Sequence, residues 1–142
     1  MEWAFWDTSA LVPLCVRQQA TPLARQLVAR HQMVVWWATP VEVRSAFSRL
    51  ARMHELTAAE FMQAQARLER LRHGWREIQP SDPLRAHAES LLDRHQLRAG
   101  NSLQLAAACV WASPQLAGRP FISGDQQLLE AARRMGFRPL EV

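Results

Sequence analysis

The sequence predicts an α/β fold: a mainly parallel sheet with helices packed on both faces. Three observations carry this. Five strand-like runs, Trp3–Trp6, Met33–Trp37, Arg76–Ile78, Pro120–Ser123 and Pro139–Val142, are separated by stretches of helical periodicity. Strands that alternate with helices belong in parallel sheets, because a parallel pair needs a long crossover. Two acids, Asp7 and Asp125, sit where an apolar strand-like run meets a helix.

Each helix has its own signal. Leu11, Leu14 and Cys15 open the first, and Leu23, Leu27 and Val28 follow a Thr21–Pro22 start in the second. Thr39–Pro40 begins the third, with Val43, Ala46, Phe47 and Leu50 inward. Thr57 caps the fourth and Glu60 completes its capping box, ahead of Phe61, Leu68 and Leu71. Ser81, Asp82 and Pro83 start the fifth, which carries Leu84, Ala88, Leu91 and Leu92. Leu103 to Trp111 is a sixth, apolar on most sides and therefore buried. Leu128, Leu129 and Ala132 mark the seventh, closed by Gly136. Two consecutive helices between the second and third strands interrupt the simple alternation.

At 142 residues, 49% hydrophobic and 21% charged, the chain is expected to be one globular domain spanning residues 1–142. No apolar run approaches a membrane span, and Glu2 near the start does not suit a secretory leader, so cytoplasmic residence is the default expectation. Cys15 and Cys109 lie in apolar surroundings without ligand spacing, which reads as two buried reduced thiols. The net charge is +4, and every one of the 17 basic residues is arginine. Arginine suits phosphate recognition, although a GC-rich coding sequence accounts for an all-arginine set equally well, and the cluster Arg44, Arg49, Arg52, Arg67, Arg70 and Arg72 also fits a simply solvated face. Trp3, Trp6, Trp36, Trp37 and Trp111 are expected in the core, with Trp75 more exposed.

Four positions stand out for chemistry: Asp7, Glu42, Asn101 and Asp125. Each alone also fits a helix start. Asp7, Asn101 and Asp125 are good N-cap types, and Glu42, three residues after Thr39, fits a capping box. As a set they say more. If the strands ending at Asp7 and Asp125 are neighbours, their carboxyl ends open on one cleft, which the helix starts bearing Glu42 and Asn101 could also face. Gathered oxygen ligands suit Mg²⁺ or Mn²⁺, and such an ion assists phosphodiester hydrolysis.

In sequence order, Asp7-Thr-Ser-Ala-Leu-Val, Thr39-Pro-Val-Glu42-Val, the stretch from Leu97 to Ala107 and Phe121-Ile-Ser-Gly-Asp125 resemble the four motifs of the PIN domain, and within it the VapC-type ribonuclease toxins of bacterial toxin–antitoxin pairs. The resemblance spans essentially the whole chain. It implies a parallel five-stranded sheet in an α/β/α sandwich. It also implies a Mg²⁺- or Mn²⁺-dependent endoribonuclease, a homodimer silenced by a cognate antitoxin whose tail occupies the cleft. The positions carried over are Asp7, Glu42, Asn101 and Asp125 as catalytic and metal-binding residues, with Ser9 and Ser123 as supporting hydroxyls.

Position 101 departs from the family's usual Asp, and Gln104 stands where a His is common. An amide oxygen still coordinates a hard cation but carries no charge and is a poor proton acceptor. Three accounts of Asn101 stay open: a natural site with weakened metal binding, a natural and catalytically silent module acting through antitoxin or RNA binding, or an Asp→Asn change made to suppress toxicity.

Overall fold

The computed structural model describes Met1–Val142. The chain runs β1 (Glu2–Trp6), α1 (Thr8–Cys15), a 3-10 turn (Arg17–Gln19), α2 (Pro22–Arg30), β2 (His31–Trp36), α3 (Thr39–Arg52), α4 (Ala58–Gly74), β3 (Arg76–Ile78), α5 (Asp82–Arg94), α6 (Ala99–Ala112), β4 (Pro120–Ser123), α7 (Gln126–Met135) and β5 (Arg138–Glu141). All four strand pairings are parallel, in the order β3-β2-β1-β4-β5. Every expected strand and helix is present. β1 and β5 start one residue before their expected runs and β2 two residues before, and β2 and β5 each end one residue earlier than expected.

The central strand shows why the sheet is covered twice. Ala4 and Trp6 point into one core with α1, α3 and α4, while Phe5 points into the other with α5, α6 and α7. Val34 and Val35 on β2 divide in the same way. Strands apolar on both sides are the mark of a parallel sheet between helical layers. Burying a side chain such as Phe5 completely contributes roughly 1.5–3 kcal/mol.

Local signals fix the helix ends. The Thr21, Thr57 and Ser81 side chains each accept a bond from a backbone N–H in the following first turn, and Thr57 with Glu60 forms the expected capping box. Gly136 ends α7 at φ 106°, a left-handed conformation costly for any residue with a Cβ. Both cysteines are free and buried.

Three expectations are corrected. Trp37 is 51% exposed, because β2 ends at Trp36 and the chain leaves the sheet there. Trp75 is half-buried, not exposed: it packs against the α1–α4 core and its indole donates to Glu77. Helix α6 is buried along most of its length, but Val110 and part of Trp111 reach the surface.

The strand order decides where a site can form. The chain builds outward from β1 through β2 to β3, then crosses back to add β4 and β5 on the other side of β1. The carboxyl ends of β1 and β4 therefore flank a topological switch point, where open α/β sheets form their ligand crevices.

Candidate active site

Asp7 follows β1 directly, and its backbone N–H donates to the Ile122 carbonyl of β4 at 3.1 Å. The first turn of α1 then wraps its carboxylate. The Ser9 backbone N–H and hydroxyl donate to Oδ1 at 2.8 and 2.6 Å, and the Ser123 hydroxyl donates to Oδ2 at 2.9 Å. Asp7 is thus the N-cap of α1, and it is only 2% exposed. Burial pushes its pKa up to about 6, against the opposing pull of the Ser9 and Ser123 bonds, and the nearby Asp125 charge raises it further.

Asp125 stands at the equivalent place after β4. Its Oδ1 accepts the Leu128 backbone N–H at 3.0 Å, which caps α7, and its own N–H donates to Ser123 Oγ at 2.9 Å. Ser123 therefore bonds to both acids at once. Asn101 donates its amide N–H to Asp125 Oδ2 at 3.1 Å. Asn101 does not cap α6: Arg98 holds that position and Asn101 lies inside the first turn, which turns its side chain toward Asp125.

Glu42 makes no capping box. Ala38 precedes α3 in a helical conformation without a side-chain cap, and the Glu42 carboxylate reaches across to α1 and α6 instead. Thr8 donates to Oε1 at 3.1 Å and Gln104 at 3.0 Å. Burial raises the Glu42 pKa, partly offset by these two bonds. Gln104 is the residue that sequence reading undervalued. It is 1% exposed, its amide nitrogen also lies within 3.2 Å of the Thr8 and Thr39 hydroxyls, and its Oε1 has no partner. Its spacing from Asn101, three residues along one helix, was the available signal.

Asp7, Glu42, Asn101, Gln104 and Asp125 line one cleft of about 400 Å³, together with Ser45 and Arg49 of α3. Arg49 is the sole arginine of the lining, so the expected basic surround reduces to one residue. Most of the remaining cluster is exposed elsewhere, and Arg67 is spent on the Cys15 carbonyl at 2.8 Å. No arginine pairs with Asp7, Glu42 or Asp125. No three His, Cys, Asp or Glu side chains approach closely enough to form a metal cage by themselves.

The order of strands, the two helical layers and the cleft at the switch point define a PIN-like α/β/α fold. No family model matches the chain, and no curated protein matches it. Solved structures do. The PAE2754 protein of Pyrobaculum aerophilum is similar at a TM-score of 0.67 and 15% identity, covering 97% of this chain and 89% of its own. VapBC2 from Rickettsia felis, solved bound to a DNA fragment from its promoter, is similar at 0.66 and 10% identity, over 99% of this chain and 98% of that one. A toxin–antitoxin complex from Klebsiella pneumoniae gives 0.63 and 19% identity, over 98% and 99%. At such identities the likeness is one of fold.

Proposed function

We propose that the chain is a divalent-metal-dependent endoribonuclease, the toxin of a toxin–antitoxin pair. One observation supports this above the others: four segments distant in sequence bring Asp7, Glu42, Asn101 and Asp125 to a single cleft at the switch point. The donor set fits a hard cation. It is all oxygen, from three carboxylates, an amide and flanking hydroxyls, and no basic side chain neutralises it. Asp7 and Asp125 would hold Mg²⁺ or Mn²⁺, with the Asn101 carbonyl as a neutral oxygen beside them and Glu42 across the cleft as a further ligand or the group that orients a water. The bound ion supplies Lewis acidity toward a phosphoryl oxygen and eases deprotonation of water near neutral pH.

The chain's own side chains do the rest. Ser9 and Ser123 lock the Asp7 carboxylate in one orientation. Gln104 and Thr8 aim Glu42 into the cleft, where its carboxylate can accept a hydrogen bond from an attacking water and orient it. Arg49 receives a phosphate at the cleft wall. The partners in this reading are an RNA substrate, a cognate antitoxin and a second copy of the chain, in the cytoplasm. No helix is long and apolar enough to cross a membrane.

A second reading, a catalytically silent module acting through antitoxin or RNA binding, is favoured by one hydrogen bond. The Asn101 amide N–H already donates to Asp125 Oδ2, an oxygen that a bound cation would use. Asn101→Asp separates the two readings. With a carboxylate restored beside Asp125, calorimetry should show Mn²⁺ uptake, and RNA cleavage with Mn²⁺ or Mg²⁺ should rise at least tenfold over the parent, a change of about 1.4 kcal/mol in barrier. A folded Asn101→Asp protein that takes up no Mn²⁺ and cuts no RNA leaves the silent module as the function.

A further inference from the structure

A second hollow lies beside the cleft and is larger, about 630 Å³. It sits between the end of α5 and the outer face of α7, and its lining is polar except for Leu92 and Ala131. The two hollows share the first turn of α7: Asp125 lines the cleft, and the next residue, Gln126, lines the depression. We propose that this depression is a phosphate subsite for a single strand of RNA that runs on from the cleft, with Arg94, His95 and Arg134 as the groups that receive it. The inference rests on the RNA-cleaving reading above.

Three observations support it. First, Arg94 has no carboxylate partner, and Arg134 engages Glu130 through Nε alone at 3.3 Å, which leaves the two amino groups of its guanidinium free. Glu130 is also held by Arg133 at 2.7 Å, so its charge is already matched. Second, His95 Nδ1 is buried in this region without any hydrogen-bond partner. Buried polar atoms are nearly always paired, so an unpaired one marks a place where a bound group can supply the partner. Third, burial and the Arg94 and Arg134 charges hold the His95 imidazole below its usual pKa. All three side chains line the same depression, so both guanidinium groups and the imidazole face one space. Asp93 is the one lining carboxylate with no basic partner, and it opposes an anion there.

The test is binding of a short fluorescent oligoribonucleotide by anisotropy, in chelator, so that no cleavage intervenes. Arg94→Gln and Arg134→Gln should each weaken binding about tenfold, and the slope of log affinity against log salt should flatten by about 0.7 for each phosphate-binding arginine removed. Asp93→Asn should tighten binding, and Arg30→Gln on α2 should leave it unchanged. Inorganic phosphate should shift the His95 imidazole resonances in the parent and not in the Arg94→Gln, Arg134→Gln double variant. These arginines are exposed at the surface, so the variants keep the fold, which circular dichroism checks. Parent-like RNA affinity in the folded double variant, or no response of His95 to phosphate, overturns the subsite. Cleavage assays distinguish this from failure of the function itself. Weakened binding with no cleavage by the parent or by Asn101→Asp removes the nuclease and keeps the subsite, whereas cleavage with unchanged affinity and KM removes the subsite alone.

Discussion

At the ends of β1 and β4 the chain performs the same construction twice, with different results. Each strand delivers an aspartate that caps the next helix through one oxygen: Asp7 onto Ser9, Asp125 onto Leu128. Their second oxygens diverge. Asp7 Oδ2 is closed in by the hydroxyl of Ser123, and the residue is almost wholly buried. Asp125 keeps part of its surface open and turns Oδ2 to the Asn101 amide. A cap needs one acceptor and tolerates full solvent. Burying Asp7 goes further than capping requires, and it raises the cost of the charge. Burial beyond structural need is the pattern of a functional acid.

The largest expected effect tests that cost. A rise from 3.8 to about 6 for Asp7, at about 1.4 kcal/mol per unit, corresponds to roughly 3 kcal/mol of stability. The sign follows from a raised acid: the stabilisation is fully present below pH 3.8 and is lost as pH rises through about 6. In chelator, urea unfolding should show the parent weakening between pH 4 and pH 8. Asp7→Asn, which keeps an acceptor for the Ser9 N–H, should remove most of that slope and be the more stable protein at pH 8. Glu42, raised in the same direction, leaves a residual slope of the same sign, while His87 and His95, held below their usual pKa by burial and neighbouring arginines, contribute a smaller slope of the opposite sign. An Asp7→Asn protein with the parent's full pH dependence would mean that Asp7 is no different from a surface cap.

Asp125→Ala probes the other elbow and should have a smaller effect. It removes the cap of α7 and leaves the Asn101 amide without its acceptor. The expected loss is about 1–2 kcal/mol in urea unfolding, the size of an N-cap deletion. Because the Asp125 charge is one of the causes that raise Asp7, the pH at which stability falls should also move down. An unmoved pH profile would show that the two acids do not sense one another, which would weaken the case for a shared cation site.

Much of this arrangement is legible in the sequence, for identifiable reasons. Strand-to-helix elbows are local events, so Asp7 and Asp125 could be placed from their neighbours alone. The parallel sheet followed from alternation, and Gly136 and the Thr57–Glu60 box from short-range chemistry. What was misread depends on interactions between distant segments. Glu42 fits a capping box locally, yet Thr8 and Gln104, 34 and 62 residues away, draw its carboxylate off its own helix. Asn101 looks like a cap until Asp125 supplies an acceptor across 24 residues. Trp37 reads as the last residue of an apolar run, and only the strand's end at Trp36 puts it outside. The arginines could be counted but not aimed, since sequence does not say which helix face looks into a cleft. The α5–α7 depression was invisible for the same reason.

Ser123 is where the comparison can be cut most finely. Its buried hydroxyl donates to Asp7 and accepts from the Asp125 N–H, so it couples the two elbows through one oxygen. Ser123→Ala should cost about 1 kcal/mol, the ordinary worth of such bonds, and the cost should depend on pH. The Ser123 bond favours ionised Asp7, so its loss should move the Asp7 pKa further above its usual value. The variant should therefore lie near the parent at pH 4 and fall behind it at pH 8, with the midpoint of the stability loss displaced upward. Asp7→Asn should abolish that displacement. Equal losses at both pH values would assign Ser123 to packing and the Asp125 turn, and Asp7 would then owe its environment to Ser9 and burial alone.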